Sequence, residues 1–391
     1  MTPQQKAEYL RRLEAQRRAE QQRRGNEQRP KYRKRKGAKP NVGLIFFAAV
    51  ICVVVGISVH QISKNSADPV ETDSLLQTLQ DVERGETTNT PAEQEQTPPP
   101  FETEGENTVP AVEFSSVSVN SADINQGDLI LVNYEHPYSL ADTVDTVEVY
   151  SNKTASYYLS TTNHRLTERA LNAMNRYADG FAADTGLSEI LVVSAYRSMA
   201  DQQSVWDSKV QSNGEEYAKN YVAVPGHSEH HTGMALDLSF YRPSDGASVP
   251  ISEHEQGFWM TEHCAEYGFI LRYPESKVDI TKISYEPWHF RFVGKPHAAV
   301  IMRKGLCLEE YIAQIKNYTP DTKLLHALED GTTAEVTASE LPTEGYVIYY
   351  VPSAETEATE IPVPSGYENY IISGNNWDGF IVTVYVGKES Q

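Results

Sequence analysis

The chain has 391 residues and a net charge of −20, enough length for two or three domains. That charge is uneven: residues 1–40 hold 14 Lys/Arg against 4 Asp/Glu, leaving 20 basic and 50 acidic residues for the remainder. A basic arm this dense could in principle bind nucleic acid, but its position before an apolar stretch argues otherwise.

Residues 1–41 form this arm, rich in Gln, Arg and Glu and with little apolar surface to bury. Val42 to Val59 is an uncharged stretch of 18 residues. A spanning helix needs about 20 apolar residues, with a lower limit of about 17. The apolar core of a cleaved signal peptide is shorter, about 7–15 residues, and ends in a small-residue cleavage site. No clear site of that kind precedes His60, so a transmembrane anchor over 42–60 is the favoured reading, and a signal peptide the alternative. The positive-inside rule then leaves the N-terminus in the cytoplasm and exports the rest. On this reading the arm touches anionic lipid rather than nucleic acid. Residues 61–116, acidic and rich in Pro, Thr and Glu, read as a solvated linker.

Order is expected from about Val117, in a domain over 117–320. Leu129–Val132 reads as a short strand. Leu166, Ala170, Met174, Tyr177 and Phe181 recur at helical spacing up to Gly186. Ile190–Ser194 is a β-branched run and a core strand. Helices are expected over 199–212, 256–267 and 308–317. Alternation at 234–239 and 288–293 predicts two half-buried strands, with Trp288, Phe290 and Phe292 facing the core. Cys264 and Cys307 have no metal-ligand spacing and read as buried thiols, with a disulfide as the alternative. Residues 321–391 hold two β-like runs between Pro, Gly and Ser, and read as a small β-rich appendage.

The chemistry gathers in two stretches. His230 lies in the turn before Gly233, and Asp237 shares a strand face with the small Ala235 and Ser239. His289 points away from the packing face of the second strand. Two imidazoles and a carboxylate suit one Zn²⁺ ion with an open position for water. Glu286, stiffened by Pro287, is placed to move a proton as general base. Tyr196, Arg197 and Ser198 follow the 190–194 strand, with Gln202 a helical turn on. The planar fork of Arg197 suits an oxyanion or a carboxylate. Taken singly, each of these residues is as ordinary as any structural one. His227 and His231 read as surface or supporting residues, Arg291 as making a local hydrogen bond, and Arg272 as either an ion pair or a cleft residue.

Together, Ser194–Ser198 with Gln202, Ser228–Asp237, Tyr267–Pro274 and Glu286–Arg291 resemble the VanY-type D-alanyl-D-alanine carboxypeptidases and the related L,D-carboxypeptidases, over about 118–318. The resemblance implies an α+β fold, an antiparallel sheet flanked by helices. It implies zinc at His230, Asp237 and His289, a general base at Glu286 and transition-state stabilisation at Arg197. It places Ser228 in the substrate cleft, with Tyr196, Ser198 and Gln202 as further substrate contacts. The family often has Gln where this chain has His231. The expected partners are peptidoglycan stem peptides, outside the membrane, with no nucleic acid. The choice between D,D- and L,D-cleavage stays open, with the loops at 268–274 and 284–285 leaning toward L,D. The alternative function is a zinc-containing wall-binding module without catalysis.

Overall fold

The computed structural model describes residues 112–387. The arm, the 42–60 anchor and nearly all of the linker lie outside the described residues. Among the described residues no helix is long and apolar enough to cross a membrane.

Setting aside a two-residue ladder, the strands in chain order are β1 (Phe114–Asn120), β2 (Tyr157–Leu159), β3 (Ile190–Ser194), β4 (Ala235–Arg242), β5 (Ala247–Val249), β6 (Phe269–Leu271) and β7 (His289–Phe292). After them come β8 (Leu324–Ala327), β9 (Thr333–Val336), β10 (Tyr346–Pro352), β11 (Ala358–Pro364), β12 (Tyr370–Gly374) and β13 (Gly379–Tyr385). The longer helices are α1 (Glu168–Thr185), α2 (Met199–Asn213), α3 (Gly257–His263), α4 (Lys295–Lys304) and α5 (Leu308–Ile315). This is the mixed α+β class the sequence implies.

The principal sheet runs β2-β3-β4-β7-β6, with β5 also paired to β4. Only the β2–β3 pair is parallel. Helix α1 covers one face. It starts where the Thr167 side chain accepts from the Ala170 N–H and stops at Gly186, whose φ of 73° is left-handed, a conformation glycine adopts without a Cβ penalty. Between these caps, Ala170, Leu171, Met174, Tyr177, Ala178 and Phe181 are buried. Tyr177 stacks near Trp259 and Phe269, at centroid distances of 5.6 and 5.7 Å. Burial of each such ring is worth roughly 1.5–3 kcal/mol, and this pins α1 to the sheet that carries the site.

Helix α2 forms for a different reason. Ser198 and Asp201 make a reciprocal capping box at its start, yet Gln202 is its only buried residue. Local capping rather than core burial defines it.

Several sequence expectations change in the structure. Leu129–Val132 is fully buried but is not a ladder strand. Its backbone is satisfied individually: Leu131 N–H donates to Asn375 O, and Arg291 donates to the carbonyls of Asp128 and Ile130. Apolar periodicity reports burial, and it cannot say whether strand or side-chain partners satisfy the backbone. Trp288 is 38% exposed, because β7 begins one residue later and only Phe290 and Phe292 take up the inward positions. Helix α4 was not foreseen; it begins with Lys295-Pro296 and buries Ala298, Val300 and Ile301.

The C-terminal strands form a second sheet in the order β9-β8-β10-β13-β12, while β1 pairs with β11. Leu129, Val293, Ile301 and Ile312 lie in one apolar cluster with Val347, Ile348, Phe380 and Ile381. The boundary expected between 320 and 321 is therefore crossed by a shared core and by the β1–β11 ladder. Cys264 and Cys307 are free and buried.

Candidate metal and catalytic site

Asp237 on β4 and His289 on β7 are direct register partners. Opposed residues of antiparallel strands project from the same face, and here His289 Nδ1 comes to 3.1 Å from Asp237 Oδ1. His230 reaches the same point from a single turn of 3-10 helix, Glu229–Thr232. That turn ends at Gly233, where φ is 66° and an added Cβ would lie 3.0 Å from the Thr146 methyl. His230 Nε2 lies 3.3 Å from Asp237 Oδ2. One donor atom from each of the three residues lies within 4.8 Å of the others.

The donor set fits a cation. His230 Nδ1 is 2.6 Å from the Ala195 carbonyl, which can only accept, so Nδ1 holds the proton and Nε2 presents its lone pair. Burial, with Arg197 adding to it, pushes His230 down to about 4, so the ring is neutral. Nε2 is buried without a hydrogen-bond partner. A lone pair facing a carboxylate is unfavourable unless a positive ion lies between them. Asp237 is partly buried; desolvation alone would raise its pKa, but the donating imidazole of His289 holds it well below the usual carboxylate range. Burial lowers His289 too, yet bonds to Asp237 and Glu229 carry it up to about 9. Metal binding would release that proton.

Glu286 lies beside this cradle, with a carboxylate oxygen 3.9 Å from His289 Nδ1. Its N–H donates to the Tyr273 carbonyl, and Pro287 restrains the corner. Burial pushes the carboxyl up to about 8; Asp237 adds to this while His289 and Arg197 oppose it. Arg197 follows β3, and its N–H donates to the His230 carbonyl at 3.1 Å. Nη1 donates to Gln202 Oε1 at 2.8 Å and Nη2 lies 3.7 Å from Asp237. Its Nε is buried with no partner. Gln202 is itself held by the Ala223 carbonyl at 2.7 Å. Ser228, at the entry to the His230 turn, is buried.

Tyr196 and Ser198 have other commitments. The Tyr196 hydroxyl donates to the Ala141 carbonyl, and Ser198 caps α2. His231 is fully buried. It bridges the Arg197 carbonyl and the Gly226 N–H, which ties the His230 turn to the end of β3. Arg291 does donate locally, to the Phe292 carbonyl, but its other arms reach much further. Arg272 is a buried ion-pair residue, bonded to Glu229 and Glu309. Glu229 itself escaped the sequence reading. Its partners lie 43 to 62 residues away, so no local spacing pointed to it.

A family model described as VanY, D-alanyl-D-alanine carboxypeptidase, matches residues 163–295. A D-alanyl-D-alanine carboxypeptidase of Enterococcus faecium is 32% identical over 275 residues, covering 69% of this chain and 79% of the relative. The bifunctional D-Ala-D-Ala dipeptidase and carboxypeptidase VanXYC of Enterococcus gallinarum is 42% identical over 130 residues, 32% of this chain and 68% of the relative. Among solved structures, the vancomycin-resistance D,D-dipeptidase VanXYg, in complex with a D-Ala-D-Ala phosphinate analog, superposes with a TM-score of 0.58 at 32% identity, over 70% of this chain and 99% of that one. The chain belongs to the VanY family and is a carboxypeptidase.

Proposed function

We propose that the chain is a zinc-dependent carboxypeptidase that removes a C-terminal D-alanine from peptidoglycan stem peptides. The observation that carries this reading is the convergence of His230, Asp237 and His289 within 4.8 Å, with a buried carboxyl 3.9 Å away. Zn²⁺, when bound there, polarises the scissile carbonyl and makes a nearby water more acidic.

The chain's own residues do the rest. Glu286 takes a proton from the attacking water as the new C–O bond forms. It returns that proton to the D-alanine nitrogen as the C–N bond breaks. A carboxyl raised toward neutrality serves both transfers. Arg197, with a buried and unpartnered Nε, donates to the oxyanion that develops on the carbonyl, and Gln202 holds its fork in place. Ser228 contributes to the cleft at the His230 turn.

A groove of about 490 Å³ runs along α2, lined in part by Val205, Ser208, Lys209 and Val222. It shares its helix with Gln202, and the charge on Lys209 acts on Glu286. This supports the groove as the path of the stem peptide upstream of the cleaved bond. A membrane anchor at 42–60 and an acidic tether would hold this site at the wall, outside the cell.

The test is mass-spectrometric detection of D-alanine released from tetrapeptide and pentapeptide stems by the full chain. Release from the pentapeptide alone assigns D,D-cleavage, and from the tetrapeptide alone L,D-cleavage. Undiminished turnover by Glu286→Ala would refute the mechanism.

A further inference from the structure

We propose that Glu229 is a positioning residue that orients His289 and sets which of its nitrogens meets the metal; this rests on reading the cradle as a metal site. Glu229 sits beside ligand His230 in the same turn but faces the opposite way. Its Oε2 lies 3.4 Å from His289 Nε2, while His289 Nδ1 faces Asp237 at 3.1 Å. An ionised carboxylate only accepts, so the Nε2 proton belongs to this bond and Nδ1 is left for the ion. One turn thus supplies a ligand to the ion and a brace to the back of the second ligand.

The surroundings of Glu229 keep it charged and immobile. Its Oε1 accepts from Arg272 Nε at 2.7 Å and from Arg291 Nη1 at 3.0 Å. Arg272 spends its other two donors on Glu309 of α5, at 2.8 and 2.6 Å. Arg291 spends its remaining donors on the Phe292, Asp128 and Ile130 carbonyls. Glu229 and both arginines have completely buried side chains. Removing several charges from water is costly even when they are paired, and apolar replacements of equal volume often fold as well or better. Stability alone therefore gives a weak account of this cluster. What it delivers is a full negative charge at a fixed distance behind a metal-binding imidazole. Carboxylates in that position fix the ring and strengthen its donor nitrogen, and their loss typically costs 10–100-fold in metal affinity.

The experiment uses the full chain with nitrogen-labelled histidine, loaded with NMR-active cadmium. We expect cadmium coupling through Nε2 of His230 and through Nδ1 of His289, with a slowly exchanging proton on His289 Nε2. In parallel, Glu229→Gln is tested for zinc affinity by chelator competition and for metal-free thermal stability. We expect a loss of about 10- to 100-fold in affinity. Coupling of His289 through Nε2, or unchanged affinity in a folded Glu229→Gln protein, would overturn the role of Glu229 and leave the metal site standing. Absence of coupling to any histidine would instead overturn the metal reading itself. Should Glu229→Gln fail to fold, the spectrum of the unsubstituted protein still decides.

Discussion

His297 on α4 gives the sharpest test of the shared core. Its Nδ1 lies 2.7 Å from the Tyr311 hydroxyl on α5, and its Nε2 lies 3.0 Å from the Thr383 hydroxyl on β13. Burial, helped by Arg169, lowers it from 6.5 to about 3. The folded protein therefore prefers the neutral ring. Its contribution to stability is complete above the unfolded value and is lost as pH falls from about 6.5 toward about 3. At about pH 5 the unfolded ring is almost fully protonated and the folded ring is not. The linkage relation then gives a loss of about 2 kcal/mol relative to about pH 7.5. That figure barely changes for any folded value below about 4, because the folded ring then stays neutral at about pH 5. The perturbation is His297→Gln, which removes the titration. Its packing cost enters at both pH values and cancels, as do the other groups common to both proteins. The assay is urea unfolding of both proteins at the two pH values. The unsubstituted chain should lose about 2 kcal/mol more than the variant on acidification. A double difference under about 0.5 kcal/mol would show that His297 is protonated or wet in the folded state, and the buried bridge between α4 and β13 would be refuted.

Arg197→Lys should cut kcat about a hundredfold with little change in metal content, because one point charge cannot replace a fork held by Gln202; an unchanged kcat in steady-state assays would remove Arg197 from the transition state. Chelation should abolish D-alanine release and added Zn²⁺ should restore it, measured on the dialysed chain; full activity without metal would end the zinc reading. Lys209→Gln should raise KM roughly fivefold, the scale of one solvent-accessible charge; an unaltered KM would take the stem out of the α2 groove. Asn376 is left-handed at a φ of 57° and donates to the Leu131 and Pro137 carbonyls. Asn376→Ala should cost about 2–3 kcal/mol in urea unfolding, and a loss below about 0.5 kcal/mol would show those carbonyls to be solvated.

Much of this protein was legible from local pattern. The α1 stripe expresses one period of burial in a short window, and the β3, β4 and β7 runs all form strands, although β7 is buried at all four positions rather than on one face. His230, Asp237, Glu286 and His289 could be named as candidates because their two short spacings, ordinary singly, occur together in the pattern of a known family. Leu129–Val132 reads as a strand in the sequence, but its partners are not strand neighbours. They are Arg291 and the Asn375–Asn376 pair, both far away in sequence. Helix α4 was missed because its apolar face is covered partly by the C-terminal strands, and nothing within 295–304 announces that cover.

By itself, then, the sequence determined the class of fold and named the candidate residues for binding a cation and moving a proton, because these follow from residue type, local period and family resemblance. Tertiary structure alone decided that Asp237 and His289 are register partners, that the C-terminal strands share the catalytic core, and that Glu229 backs His289 with two arginines behind it. Those facts depend on contacts between segments tens to hundreds of residues apart, and a side chain's partners across such distances are set by packing, which no local window contains.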